Sequence, residues 1–380
     1  MNRIYAFLLA ILLIIAVFGI NYGFFGNNNE DLPKLLVGVD VAHENLEEII
    51  ALADEIEPYT NLLVIGSTGI TFDVTKLDEV CTYLYDKGFY FLIYMHPAED
   101  ISSLEVQRQW VEKAQKLWDQ QFVGLYAFDE PGGRQLDKHE YSVLTEAGKN
   151  YTDTANKYIN RLGDVLNHIT DEPIEAGDLP LFTSDYAFYW FDYKGGYDTL
   201  LAQFGWNYSR QLSVAPCRGA ATIQNKEWGV MITWTYNHPP YIESGPELYD
   251  DLVLAYENGA KYILVFDSNE DYTKGILQQE HLDALKQFWD YAKANPRPNS
   301  LDEDRVAYVL PKDYAYGFRG PEDKIWGFWE ADSLSYKLSV DVVEVLEQYG
   351  TRLDIIYDDG LKMDKTYSRY IFWNETIHVP

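Results

Sequence analysis

The chain of 380 residues carries 60 acidic and 30 basic side chains, which gives a formal net charge of −30 at pH 7. This field repels nucleic acid and anionic lipid, so it disfavours a polyanionic partner and suits a neutral substrate. Hydrophobic residues make up 47% of the chain and aromatic residues 16%, which is enough apolar material for a large core.

A long apolar run opens the chain. Residues 4–20 follow Arg3 almost without a polar interruption, close to the ~20 residues that a membrane-spanning helix needs. Bulky residues follow and no small-x-small cleavage site is present, so residues 1–24 are predicted to be an uncleaved signal anchor rather than a cleaved signal peptide. Residues 25–34 read as a polar tether. The body is expected outside the cell, held at the cell membrane by a single pass or secreted if the segment is cleaved.

Short β-rich runs alternate with helical patterns over residues 35–295. The first half of this region contains LLVGVDV, NLLVIGS, FYFLIYM and VGLYAFDE, and the second half contains LPLFTSDYAFYW, DTLLAQFGW, WGVMITWTY and KYILVFDS. Eight such repeats predict an α/β protein with a (β/α)8 TIM barrel as its catalytic domain. No GxGxxG or Walker-type loop follows any of these strands, which disfavours a nucleotide-binding fold, and no organic cofactor is expected.

A second, smaller region follows the linker NPRPNSLDEDR. Residues 305–380 show a β-α-β-β pattern and are predicted to form a small α/β module that packs on the barrel. Cys81 and Cys217 fall in two different predicted helices, so a disulfide between them is not expected.

Polar and aromatic side chains gather where the predicted strands end, which is where (β/α)8 barrels build their sites. The carboxyl groups at or just after these ends are Asp40, Asp129, Glu130, Asp185, Glu243 and Asp267. His96 ends the third strand, and Trp206, Trp234 and Tyr236 lie at the ends of the sixth and seventh. Carboxyl groups can protonate a glycosidic oxygen and attack the sugar or activate water, while aromatic rings stack on sugar faces. The mixture therefore indicates carbohydrate chemistry.

The stretch FDEP at the end of the fourth strand resembles the Asn-Glu-Pro of the large clan of (β/α)8 retaining glycoside hydrolases. The resemblance implies that Glu130 is the acid/base, with Asp129 in place of the asparagine. That clan has its nucleophilic glutamate at the end of strand seven, where this chain has TWTYNHPPYIESG. Glu243 lies several residues later, so the second carboxylate is expected to be Glu243 or, failing that, Asp267. Adjacent carboxylates also repel each other and raise one pKa, which suits a general acid.

Structural explanations exist for the same residues. Asp129-Glu130-Pro131 could be only a polar turn that ends a strand, and Glu243 could belong to the cap of the helix that begins near Ser244. Asp185 and Asp267 could pair with basic side chains at the barrel rim.

The sequence therefore predicts an exported, membrane-anchored glycoside hydrolase that acts on a neutral oligo- or polysaccharide by carboxylate acid/base catalysis. The predicted substrate-binding residues are Asp40, His96, Asp129, Asp185, Trp206, Trp234 and Tyr236. The alternative is a non-catalytic carbohydrate-binding protein of the cell surface, which would need no second carboxylate. A metal-dependent hydrolase using His43, His96, His238 and Asp267 is disfavoured, because strand one has no HxH and strands five and six have no histidine.

Overall fold

The computed structural model describes residues 32–95, 101–170, 179–297 and 304–380. The predicted signal anchor and most of the predicted tether fall on residues 1–31, which lie outside the described residues. No helix in the described part of the chain is long and apolar enough to cross a membrane. The chain divides into two units, Met1–Lys34 and Leu35–Pro380, and the second contains all the elements below.

Eight parallel strands close into a barrel in chain order, which confirms the predicted (β/α)8 fold. The strands are β1 (Leu36–Val41), β2 (Leu62–Ile65), β3 (Tyr90–Met95), β4 (Phe122–Ala127), β5 (Leu181–Asp185), β6 (Thr199–Phe204), β7 (Glu227–Ile232) and β8 (Tyr262–Asp267). β1 closes the barrel by pairing with both β2 and β8. Nearly every strand residue is buried, because side chains fill the inside of the barrel and helices cover the outside.

The helices alternate with these strands. They are α1 (Leu46–Ile56), α2 (Thr68–Thr71), α3 (Val74–Asp86), α4 (Ile101–Trp118), α5 (Pro131–Asp137), α6 (Tyr151–Thr170), α7 (Tyr189–Gly195), α8 (Arg210–Gln224), α9 (Gly245–Glu257) and α10 (Gln279–Ala294). Asn45 and Asp73 cap α1 and α3, since each side chain accepts hydrogen bonds from first-turn N–H groups. Cys81 on α3 and Cys217 on α8 are buried free thiols.

The fifth strand is shorter than predicted. The prediction placed a strand over residues 179–190, but β5 ends at Asp185 and α7 follows. The aromatic residues of this stretch are typical of strands. Here the chain instead turns at Phe188 (φ +56°) and buries its aromatic rings, with the Phe191 and Trp326 ring centroids 4.6 Å apart. Tertiary packing thus overrides the local preference.

Two further boundaries bear on the site. β7 ends at Ile232, so Trp234 and Tyr236 lie in the loop after the strand instead of within it. α8 continues through Pro216, although proline removes one backbone donor from a helix.

The C-terminal region consists of β9 (Val306–Leu310), α11 (Ser333–Tyr349), β10 (Leu353–Tyr357), β11 (Arg369–Phe372) and β12 (Ile377–His378). Its strands form one sheet in the order β10-β9-β11-β12. The module packs on α8, where Arg218 Nε donates to Asp354 Oδ1 at 2.7 Å and both side chains are almost fully buried. A Cβ at Gly219 would lie 2.6 Å from the carbonyl oxygen of Ile355, so only glycine permits this approach of α8 to β10.

Candidate active site

A cavity of about 630 Å³, the mouth cavity, opens at the carboxyl ends of the barrel strands. Its acidic lining residues are Asp40, Glu44, Asp129, Glu130 and Asp271. Its aromatic lining residues are Tyr94, Tyr126, Trp206, Trp234, Phe266 and Tyr272. Arg134 is the only basic side chain among the described residues that line it. The mouth cavity is therefore acidic and rich in aromatic surface.

The turn that follows β4 fixes the position of Glu130. Glu130 has a left-handed backbone (φ 54°, ψ 46°) and is followed directly by α5. The carboxylate of Asp185 accepts hydrogen bonds from the N–H groups of Gly132 and Gly133 at 2.7 and 2.8 Å. A Cβ on Gly133 would lie 2.1 Å from the ring of Tyr186. A left-handed non-glycine residue is strained by about 1–2 kcal/mol, and such strain concentrates at functional sites.

The carboxyl group of Glu130 faces the mouth cavity. Gln203 Nε2 donates to its Oε1 at 2.7 Å, and Arg134 Nε lies 3.8 Å from its Oε2. The side chain is 28% exposed. Burial, followed by the charge of Asp129, raises the pKa of Glu130 to about 8, against the opposing effects of Gln203 and Arg134. The group is thus mostly protonated at neutral pH and has a proton to donate.

Asp129 has different surroundings, although it is the adjacent residue. Its carboxylate accepts hydrogen bonds from Tyr126 Oη at 2.6 Å, Arg134 Nη2 at 3.1 Å and Ser184 Oγ at 3.3 Å. Ser184 Oγ in turn accepts a hydrogen bond from Gln203 Nε2 at 2.9 Å. One polar network therefore holds both carboxyl groups, and in it one cation and two hydroxyl groups donate to Asp129.

Asp40 lies on the wall of the mouth cavity that β1 provides. Its side chain is buried, and its Oδ1 has no hydrogen-bond partner among the described residues. A Cβ on Gly66 would lie 2.2 Å from that oxygen, so glycine makes room for the carboxyl group. Burial, with smaller effects of Asp129 and Asp267, raises the pKa of Asp40 well above its usual value. An unpartnered buried carboxyl in a cavity is typical of a functional site.

Two predicted aromatic residues line the mouth cavity. Trp206 has a left-handed backbone (φ 51°) and is 38% exposed. Its backbone N–H donates to the backbone carbonyl of Trp234 at 2.8 Å. Trp234 Nε1 donates to the carbonyl of Ser268 at 3.0 Å, and its ring centroid lies 5.1 Å from that of Tyr241. The indole of Trp234 is therefore held in place, and both tryptophans line the cavity. Tyr236 is exposed and does not line it.

Glu243, predicted as the second carboxylate, is not among the described residues that line the mouth cavity, and its catalytic role stays a prediction. Arg210 Nη2 lies 2.9 Å from Glu243 Oε2, and Arg210 Nε lies 2.7 Å from Asp251 Oδ2. Burial and the charge of Asp251 raise the pKa of Glu243 to about 8. This buried cluster joins the loop after β7 to α8 and α9. The position of Glu243 is therefore structural.

Asp267 and Asp185 also lie outside the set of residues that line the mouth cavity. Asp267 Oδ1 accepts hydrogen bonds from the N–H groups of Ile276 and Leu277 at 2.5 and 3.0 Å, so it holds the loop after β8. Burial raises the pKa of Asp185 to about 7 although four backbone N–H groups donate to it. Both carboxyl groups accept hydrogen bonds from backbone N–H groups, and their predicted catalytic and substrate-binding roles stay predictions. His96 lies outside the described residues.

The structure adds lining residues that the sequence prediction omitted. Tyr94, Tyr126 and Ser184 sit on the barrel strands, Arg134 on α5, and Tyr272 in the loop after β8. Polar side chains on the last inward-facing positions of buried strands are the signal that could have located Tyr126 and Ser184.

The described residues do not support the metal-dependent hydrolase that the sequence analysis disfavours. Within the described ranges, no three His, Cys, Asp or Glu side chains come together as a metal site. His43 is fully buried, and its Nε2 lies 3.9 Å from Asp267 Oδ2.

No family model and no curated protein matches the chain. Among solved structures, it is similar to an active-site mutant of the Rhizomucor miehei β-1,3-glucanosyltransferase with laminaritriose (14% identity, 65% of this chain and 94% of that chain, TM-score 0.41). It is also similar to α-L-fucosidase isoenzyme 2 of Paenibacillus thiaminolyticus (13% identity, 88% of this chain and 66% of that chain, TM-score 0.46). A third similar structure is the β-methylaspartase of Clostridium tetanomorphum (9% identity, 70% of this chain and 60% of that chain, TM-score 0.43). These neighbours include glycoside hydrolases and transferases, but at such identities and scores no conclusion about activity rests on them.

Proposed function

We propose that this chain is a glycoside hydrolase for a neutral oligo- or polysaccharide, with Glu130 as its general acid. The observation that carries the proposal is the placement of Glu130. It is a mostly protonated carboxyl group, locked by a left-handed turn at the end of β4, that faces a cavity of about 630 Å³ lined by aromatic rings and other carboxyl groups.

The contacts of Glu130 define how it would transfer its proton. Gln203 donates to Oε1, so the acidic proton is carried by Oε2. In the reaction this proton moves to the leaving glycosidic oxygen as the bond from that oxygen to the anomeric carbon breaks. The carboxylate that results keeps the hydrogen bond from Gln203 and gains from the nearby guanidinium of Arg134. The carboxyl group of Asp129, which lines the same cavity, is placed to stabilise the positive charge that develops on the sugar ring.

Asp40 replaces Glu243 and Asp267 as the proposed second carboxyl group. It lines the same cavity as Glu130 from a strand three places away around the barrel. Asp129 already accepts three hydrogen bonds, whereas Asp40 accepts none from the described side chains and its Oδ1 has no partner among the described residues. Asp40 acts as base or nucleophile only in its ionised form, so the active state has Asp40 deprotonated and Glu130 protonated.

The substrate class follows from charge and surface. Five carboxyl groups and one guanidinium line the described part of the mouth cavity, which disfavours a polyanionic glycan. Trp206 and Trp234 offer aromatic faces, on which the C–H-rich faces of neutral sugar rings can pack.

Hydrolysis of a panel of neutral oligo- and polysaccharides tests the proposal. The full chain is compared with Glu130→Gln and with Glu270→Gln, a matched change at an exposed residue of the loop after β8 that does not line the cavity. We expect Glu130→Gln to reduce kcat by about 10²–10⁴-fold while binding persists, because general acid catalysis contributes that much. Glu270→Gln is expected to match the wild type. Hydrolysis unaffected by Glu130→Gln would contradict the proposal.

The alternative, a non-catalytic carbohydrate-binding protein, is favoured by one observation. Neither Glu243 nor Asp267, the carboxyl groups predicted to complete a catalytic pair, lines the mouth cavity. Binding of the panel with no turnover by the wild type would establish this alternative.

A location outside the cell, anchored by residues 1–24, is a separate proposal that rests on the apolar run of residues 4–20. Membrane fractionation of the full chain and of a form that begins at Asp31 tests it. Equal release of both forms into the soluble fraction would contradict anchoring.

A further inference from the structure

A second cavity of about 370 Å³ lies between the barrel and the C-terminal module. The barrel contributes the loops after β5 and β6 and the first turns of α8, and the module contributes residues 316–321, α11 and Tyr357. The volume falls within the range of about 300–1,000 Å³ that is usual for ligand sites. This second cavity is large enough to hold part of a ligand.

Lining residues of the second cavity lie close to the mouth cavity or to the turn that positions Glu130 at two points. Trp206 lines the mouth cavity and the next residue, Asn207, lines the second, so the two linings are about 3.8 Å apart along the chain. Tyr186 lines the second cavity and packs against Gly133, where a Cβ would lie 2.1 Å from its ring. The negative charge of Glu130 also contributes to the raised pKa of Tyr186. A wall residue of the second cavity thus lies against the helix that begins directly after Glu130.

Hydrogen bonds tie the wall of the second cavity to the helix that positions Glu130. Asp137, the last residue of α5, accepts a hydrogen bond from Tyr186 Oη at 2.7 Å and pairs with Arg319 Nη2 at 2.8 Å. The Arg319 guanidinium lies 5.9 Å from the centre of the Tyr186 ring. A barrel residue and a module residue therefore share one anchor, and the wall keeps a fixed position relative to Glu130.

The lining of the second cavity suits binding and lacks the groups for catalysis. It presents aromatic surface from Tyr186, Phe318 and Tyr208, of which Tyr208 is 42% exposed. None of the described residues that line it is a carboxylate, in contrast to the mouth cavity. Arg319 is its only charged side chain in the described ranges and is already paired with Asp137 and Asp323. A neutral ring with one apolar face matches this surface.

We propose that the second cavity is a subsite for the leaving-group side of the substrate, where a sugar ring of an oligo- or polysaccharide packs on Tyr208 and Phe318. A general acid stands beside the oxygen that leaves, so the part of the substrate beyond that oxygen lies on the side of Glu130. The proposal rests on the proposed hydrolase function and deepens it, because it makes an extended saccharide chain, rather than a small glycoside, the substrate for which the site is built.

The test compares two substrates of the same sugar, an oligosaccharide and an aryl monosaccharide, in the full-length protein. The measured quantity is the ratio of kcat/KM for the oligosaccharide to kcat/KM for the aryl glycoside. We expect Tyr208→Ala and Phe318→Ala each to lower this ratio about tenfold, the effect of losing roughly 1.4 kcal/mol of ring packing. Tyr85→Ala, a matched change at an exposed tyrosine of α3 that lines neither cavity, is expected to leave the ratio unchanged. Thermal unfolding confirms that the variants are folded.

The outcomes separate this inference from the proposed function. An unchanged ratio in Tyr208→Ala and Phe318→Ala, with hydrolysis abolished by Glu130→Gln, would overturn the subsite and leave the hydrolase in place. If Tyr208→Ala and Phe318→Ala lower kcat/KM only for glycosides with an apolar, non-sugar leaving group, the assignment of a sugar ring to this subsite would also be overturned. If nothing is hydrolysed, titration with the same oligosaccharides decides. Binding weakened about tenfold by Tyr208→Ala supports the subsite, whereas binding unchanged by that substitution, or absent, overturns it.

Discussion

Replacing Asp129 by asparagine is expected to move the alkaline limit of hydrolysis to lower pH. Glu130 can donate a proton only while it holds one, and its pKa is raised to about 8 by burial and then by the charge of Asp129. For the wild type, kcat/KM is therefore expected to fall about tenfold per pH unit above pH 8.

The size of the change follows from the surroundings of Glu130. A charge within ~4–6 Å moves a carboxyl pKa by about 1–3 units. Asp129 is the second cause of the raised pKa, after burial, so we expect Asp129→Asn to lower the limit by about one unit. Arg134, which now lies 3.1 Å from Asp129 Oδ2, would then act on Glu130 alone and shift the limit in the same direction.

Two further substitutions should have the opposite sign. Gln203→Met removes the hydrogen bond to Glu130 Oε1, and Arg134→Met removes the nearby cation. Both groups lower the pKa of Glu130, because they favour its ionised form. We therefore expect each substitution to move the alkaline limit to higher pH, whatever its effect on the maximal rate.

The assay is a series of kcat/KM measurements on one neutral substrate from about pH 5 to about pH 10, since this parameter reports ionisations of the free enzyme. A limit that stays in place in Asp129→Asn would refute the reasoning. A shift of the alkaline limit in the same direction in Asp129→Asn, Gln203→Met and Arg134→Met would also refute it. The group that raises the pKa of Glu130 and the two groups that lower it would then have the same effect.

Three other predictions concern stability. Gly66→Ala places a Cβ 2.2 Å from Asp40 Oδ1. We expect this crowding to lower the free energy of unfolding, measured by urea denaturation, by about 1–3 kcal/mol. An unchanged free energy of unfolding would mean that the Asp40 side chain moves freely. Arg210→Met leaves the buried carboxyl groups of Glu243 and Asp251 without their cation. We expect the free energy of unfolding to fall by about 3–5 kcal/mol. An unchanged urea midpoint would contradict the structural role of this cluster. The carboxyl groups of Glu130, Asp185 and Glu243 have pKa values raised to about 7 or 8, so the folded state holds protons that the unfolded chain releases above about pH 4. The contribution of these raised pKa values to stability is present below that pH and is lost as the pH rises to about 8. We therefore expect a lower urea midpoint at about pH 9 than at about pH 5. A higher midpoint at about pH 9 would contradict this contribution.

The barrel could be predicted from the sequence because its signal is repeated. Each strand is a short apolar run, and nearly every run is followed by an amphipathic helix, so one uncertain boundary does not change the fold. The exception is α7, where Tyr189, Trp190 and Phe191 have strand-like preferences. These residues form a helix because their rings pack against aromatic side chains of the C-terminal module. Contacts with residues more than 100 positions later cannot be read from local pattern.

The candidate site could be predicted only in part. The end of β4 locates Glu130, because it lies three residues after Ala127, in the turn at the mouth of the barrel. Glu243 lies 11 residues beyond the end of β7, and its position depends on Arg210, which the sequence does not link to it. Asp185 and Asp267 do end strands, yet backbone N–H groups of neighbouring loops take up their carboxylates. A strand end thus places a carboxyl group near the mouth without deciding what it binds.

Glu130 and Glu243 show why electrostatics alone does not identify the acid. Burial and a neighbouring aspartate raise the pKa of each, and an arginine opposes the rise, with a net value of about 8 for both. Their access differs: the side chain of Glu130 is 28% exposed and lines the mouth cavity, whereas that of Glu243 is 6% exposed and lies against Arg210. Because Glu243 does not line the cavity, its raised pKa bears on stability, whereas the raised pKa of Glu130 is available to the proposed proton transfer. The cavity therefore decides the assignment, and the raised pKa determines only the pH range in which the assigned group can act.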